Sequence, residues 1–173
     1  MRHDSNYVQS VMHILIFVNK NNMYKGLLHA HSGLRWIALI LILLAIINAA
    51  KSQTSGKYLK KDKMINLFAM VFLHIQLLIG LGLYFVSPKV QFVDKWMSSD
   101  TAGGMFRFFN LEHVIMMVAA IALITIGRSK AEKKLKGTRD KHRRILINYT
   151  IGLILILASI PWPFREMLGG SWF

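Results

Sequence analysis

The chain has 173 residues, 54% of them hydrophobic, with a mean hydropathy of +0.40. That balance excludes an ordinary soluble domain, and the length bounds the chain to a single domain. It holds no cysteine, which excludes disulfides, thiolate metal sites and covalent C-x-x-C-H haem attachment. The formal charge of +14 flanks the apolar runs, which argues against a nucleic-acid partner.

In chain order, the first feature is the apolar stretch YVQSVMHILIFVN. It is too short to cross a bilayer, which takes roughly 20 residues. A signal-peptide core would be followed by a small-residue cleavage site, and KNNMYKGLLHAHSG follows instead. Residues 1–22 therefore read as a leader or start-site extension, loosely structured or interfacial. Met23 then opens a domain over 23–173, and His3 and His13 in the leader carry no role.

Four apolar runs come next: Gly33–Ala50, Met64–Val86, Leu111–Ile126 and Ile145–Pro161. Inside a bilayer each spanning segment must satisfy its own backbone polar groups, so each run is expected to be a helix. With flanking residues the helices cover about 28–50, 64–86, 108–128 and 144–161. The expected fold is an all-α integral membrane protein, an antiparallel bundle of four transmembrane helices. Its first partner is the lipid bilayer.

The links carry the orientation. KSQTSGKYLKKDK, residues 51–63, has five lysines and one aspartate. RSKAEKKLKGTRDKHRR, residues 128–144, has nine Lys or Arg against Glu132 and Asp140. The middle link has only Lys89, Lys95 and Arg107, with Asp94 and Asp100. Positive links mark the cytoplasmic side. This places links one and three inside and both termini outside, in a multi-pass arrangement.

The histidines of the apolar region are the candidate functional groups, because ionisable side chains at membrane depth are costly. His29 and His31 point about 200° apart on a helix. The His31 face continues through Arg35, Ala38, Ile42, Ala45 and Ala49, and its small residues suit helix contact. His29 shares the bulky face of Trp36, Ile40, Leu43 and Ile47 and is expected to point away. His74 lies near the middle of the second run, with Leu67, Met70, Val71, Leu78 and Leu81 on its face and Gln76 on another side. His113 continues inward through Met116, Met117, Ala120 and Ile124.

Two facing histidines suit the axial positions of a b-type haem, for which neutral imidazole is the binding form. His74 and His113 are the preferred pair, with His31 as the alternative ligand in place of His74. Arg35 and Arg107 stand where propionates would need cations, and Phe68, Phe72, Phe108 and Phe109 would line the macrocycle. Glu112 reads either as an acceptor orienting a histidine or as an N-terminal helix charge.

Two rival readings stay open. His74 could be a structural hydrogen-bonding residue in a non-catalytic accessory or assembly subunit. His113, Met116 and Met117 could handle copper, although methionine also serves as core filler. No H-E-x-x-H zinc helix, phosphate loop or nucleophile motif occurs. An electron carrier or subunit, served by a redox partner or quinone, is thus expected over a stand-alone enzyme.

Four segments carry a resemblance: HSGLRW at 31–36, HIQLLIGLGLYF at 74–85, EHVIMMVAAIALITIGRSKAEK at 112–133 and IPWP at 160–163. Together they resemble a family of small bacterial four-helix membrane proteins labelled cytochrome b or cytochrome-b-like. The resemblance covers roughly Met23 to Pro163. It implies a membrane bundle in which His31, His74 and His113 are the marked histidines, with haem ligation as the implied role.

The charge asymmetry generates a test. A periplasm-active reporter fused after Phe173 should give signal, and a cytoplasm-active one should stay silent; the opposite pattern rejects the orientation.

Overall fold

The computed structural model describes residues 2–98, 101–170 and 172. It is helical throughout, with no strand among the described residues. The elements are α1 (Arg2–Ser52), α2 (Lys60–Val86), α3 (Thr101–Arg107), a π-helical turn (Phe108–Glu112), α4 (His113–Lys133), α5 (Thr138–Ser159) and a 3-10 turn (Glu166–Leu168).

Proline sets two of the helix ends. Ser87 and Ile160 each precede a proline, and a residue in that position is pushed out of the helical region. Both take extended backbone, at φ −73°, ψ 132° and φ −73°, ψ 131°. No proline precedes Pro88, so nothing of that kind interrupts α1. The first helix, expected from about residue 28, runs unbroken from Arg2, and its backbone is helical straight through the expected leader.

Three helical stretches are long and apolar enough to cross a membrane: Val18–Ser52, Lys60–Val86 and Gly104–Lys133. The fourth helix, α5, is poorer in apolar residues, because its first two turns carry Arg139, Asp140, Lys141, Arg143 and Arg144.

Contacts join α1 to α2, α2 to α4, α4 to α5 and α5 back to α1. The ring leaves α1 opposite α4. Asn48 meets Asp62 while the His31 carbonyl meets Gln76, so α1 and α2 run in opposite directions. Likewise His113 meets the Ser159 carbonyl and Asn148 meets the Leu123 carbonyl, so α4 and α5 are opposed.

Small residues line the middle. Ala38, Ile42, Ala45 and Ala49 form the buried stripe of α1, the face read from the sequence. Ala69, Ala120 and Ala131 are buried opposite. The large side chains point out: Phe85 is 80% exposed, Leu78 69% and Ile154 60%. A water-soluble bundle buries such groups, whereas lipid tails solvate them at no cost. The distribution matches an apolar solvent.

One end of the bundle is closed by polar groups. Asp62 accepts from the Asn48 amide at 2.8 Å and from the Leu59 N–H at 2.6 Å. The Tyr149 hydroxyl donates to the Asn66 carbonyl at 2.7 Å, crossing from α5 to α2. Tyr58, in the link before α2, donates to Glu132 at 2.6 Å, and burial together with that bond raises its pKa. His142, almost fully buried, donates from Nε2 to the Lys57 carbonyl at 3.0 Å.

The α4–α5 contact depends on glycine. A Cβ at Gly127 would meet the Asn148 side chain at 2.5 Å, and one at Gly152 would meet Ile124 at 2.8 Å. A Cβ at Gly33 meets nothing within 4 Å. Gly127→Val should therefore cost roughly 1–3 kcal/mol through overpacking. Gly33→Ala should be neutral or stabilising by up to about 1 kcal/mol. Denaturant titration in detergent micelles, followed by helical circular dichroism, checks both; equal effects would refute the close contact.

Candidate functional site: a cavity between two histidines

The site starts at an irregularity of the helix. Phe108–Glu112 is π-helical, with the His113 N–H bonded to the Phe108 carbonyl five residues back. Single π turns widen a helix and recur at functional positions. The same five-residue spacing stacks Arg107 on Glu112, Nε to Oε1 at 2.7 Å. The Asn110 carbonyl accepts from the Tyr84 hydroxyl at 3.2 Å. The buried Asn110 side chain accepts from the Gln91 N–H at 3.1 Å and donates to the Gln91 carbonyl at 2.7 Å. This turn thus ties the link after α2 to the helix that carries His113.

His113 then faces inward. Its Nδ1 lies 2.8 Å from the Ser159 carbonyl at the end of α5. A carbonyl can only accept, so Nδ1 carries the proton and Nε2 keeps its lone pair. This is the arrangement that a hydrogen bond from the far ring nitrogen imposes on metal-binding histidines. The rings of Phe108 and Phe109 lie 5.8 and 6.3 Å away, centroid to centroid.

His31 approaches from across the ring, with the two imidazole centroids 6.5 Å apart and the planes at 70°. Its backbone is held by Gln76, whose Nε2 donates to the His31 carbonyl at 2.9 Å. Gly80 leaves room for the ring: a Cβ there would stand 3.3 Å from His31 Cε1. His31 Nδ1 is buried with no hydrogen-bond partner.

Both histidines line one cavity of about 210 Å³. Leu39, Leu73, Leu77, Met117 and Ile156 supply apolar wall. Arg35 and Lys89 are its cations, and no Asp or Glu lines it among the described residues. The residues after α5 roof it. Arg35 donates to the Trp172 carbonyl at 2.7 Å, and Lys89 to the carbonyls of Leu168 and Gly169 at 3.0 and 2.7 Å.

Of the residues singled out from the sequence, the fold brings His31, Arg35 and His113 together and leaves His74 and Arg107 outside the lining. Gln76, expected on another side, is the inward group of α2, in line with Asp62, Asn66, Ala69 and Leu73. The His74 side carries Leu78, 69% exposed. His74 Nδ1 lies 2.8 Å from the Met70 carbonyl of its own helix, so it needs no partner across the bundle. Arg107 is paired with Glu112, a partner that neither sequence reading of Glu112 named. Of the four phenylalanines, Phe109 reaches the cavity, while Phe68 is 47% exposed. Lys89, Gln76, Tyr84, Asn110 and the Ser159 carbonyl were not singled out from the sequence. Their only linear signal was polar character beside apolar runs. No cluster of three or more His, Cys, Asp or Glu occurs among the described residues.

The hydrogen bonds fix tautomers. In ¹⁵N-histidine NMR at pH 8, His113 and His74 should show Nδ1–H and His142 Nε2–H; an Nε2–H signal for His113 contradicts the Ser159 contact. No protein-family model, no curated protein and no solved structure matches this chain.

Proposed function

We propose that the chain is an antiparallel four-helix transmembrane protein of a bacterial inner membrane, with both termini periplasmic, that carries electrons on one b-type haem held by His31 and His113. The carrying observation is that these two imidazoles, from opposite helices, line one apolar cavity with centroids 6.5 Å apart. Two metal–imidazole bonds of about 2.0 Å, plus about 1.1 Å from each nitrogen to its ring centre, would give about 6.2 Å. The donor set also fits. His113 offers Nε2 with its other nitrogen satisfied, and His31 brings an unpartnered buried nitrogen.

A bound haem supplies reversible one-electron chemistry at iron. The remaining roles belong to the chain. The Ser159 carbonyl orients His113 and raises its basicity. Gln76 fixes the backbone under His31. The apolar wall excludes water, and Arg35 and Lys89 supply positive charge at the rim. Electrons would pass to a redox partner or quinone at the same end. His74 lies outside the cavity lining, and that placement, not its bond to Met70, favours a structural role for it.

The test is absorption spectroscopy of protein produced with ample haem. A low-spin bis-histidine spectrum is expected, lost in His31→Ala and in His113→Ala and kept in His74→Ala and His29→Ala. Absence of any Soret band in the parent protein rejects haem, and metal analysis then decides for or against copper. A spectrum lost in His74→Ala but kept in His31→Ala moves the ligand to α2.

A further inference from the structure

Among the described residues, Arg35 and Lys89 hydrogen-bond to neutral partners. Arg35 Nη2 donates to the Trp172 carbonyl, and Lys89 Nζ to those of Leu168 and Gly169. A carbonyl satisfies a donor but leaves its charge unbalanced. Among the described residues, the ion pairs within 4.0 Å are Lys63–Glu132 and Arg107–Glu112, and neither involves these cations. The Arg35 Nε is buried and unpartnered. Burial lowers the pKa of Lys89, as it does for a cation without a counter-charge. A bond from a cation to a carbonyl is already charge-assisted, and a carboxylate adds to it the attraction of opposite charges. The site is therefore better matched to an anion than to the carbonyls it holds.

We propose that Arg35 and Lys89 form a carboxylate-binding site at the mouth of the cavity, where an amphipathic acid displaces the carbonyls of Leu168, Gly169 and Trp172. The acid group takes both cations, and the apolar body lies along Leu39, Leu73, Leu77 and Met117. The displaced segment is short, and besides its bonds to the two cations it is held by Trp36 Nε1, which donates to the Trp172 carbonyl at 3.3 Å, and by the buried Leu168. It consists of the 3-10 turn, Gly169 in left-handed backbone at φ 54°, and Trp172 stacked on Trp36 at 6.3 Å. The cavity is smaller than the roughly 300–1,000 Å³ of ordinary ligand pockets, so a bulky guest needs that segment to move. This inference does not rest on iron. A porphyrin propionate and a fatty-acid head present the same chemistry.

The experiment uses the full chain in nanodiscs of zwitterionic lipid. Metal-free protoporphyrin IX, oleate and the methyl esters of both are titrated in turn. At least one acid should bind ten-fold or more tightly than its ester. Arg35→Met and Lys89→Met should each remove most of that preference while leaving ester binding unchanged, and Lys89→Arg should retain it. Preference for the porphyrin acid alone identifies a tetrapyrrole guest, and equal preference for oleate a generic lipid acid; both support the site. Oleate binding should also raise acrylamide quenching of tryptophan. Equal binding of acids and esters, undiminished preference in both Met variants, or oleate binding without increased quenching overturns the proposal. Because the porphyrin carries no metal, these results are independent of whether His31 and His113 ligate iron.

Discussion

The architecture depends on side-chain donors finding backbone carbonyls on other helices. Gln76 donates to the His31 carbonyl, Asn148 to that of Leu123, Tyr149 to that of Asn66, and His113 to that of Ser159. In an apolar surrounding an unmet donor is costly, because no water replaces the missing partner. Each bond is modest, about 0.6 kcal/mol on average between membrane helices. Its larger effect is on register. A helix that slides by one residue leaves both the donor and its carbonyl side misaligned, so four such bonds fix the depth at which each helix meets the next.

Close packing then becomes possible where the residues are small. Gly127 and Gly152 bring α4 and α5 together, and the alanine stripe of α1 lets its neighbours approach. The two ends of the bundle are treated differently. Around Asp62, Glu132 and Tyr149 the polar groups meet one another and the interior is shut. At the His31–His113 end they face an apolar space, and the two cations at the rim bond to carbonyls and lie over the rings of Trp36 and Phe109.

The π-helical turn links fold to site. One widened turn ahead of His113 sets the face on which the imidazole emerges, and it also ties the link after α2 to α4 through Asn110 and Tyr84. Lys89 is in that link, so the turn that places a histidine also places a cation at the rim.

The helical, membrane-suited character was legible in the linear chain, because long apolar runs and basic links are local properties of composition. So was the inward face of α1, since Ala38, Ala45 and Ala49 recur at helical spacing among bulky residues. The inward face of α2 was not. Gln76 and His74 are both polar residues in one apolar helix, and only the position of the His31 carbonyl on α1 selects Gln76. Arg107 and Lys89 are equally basic neighbours of apolar runs. The π turn gives Arg107 to Glu112, and the carbonyls of Leu168 and Gly169 hold Lys89 at the cavity. Composition and periodicity thus determined which segments are helices and what solvent they suit. The choice of groups that meet was decided by the tertiary structure, because a hydrogen bond needs a partner within about 3 Å, and no linear spacing specifies where another helix puts its carbonyl.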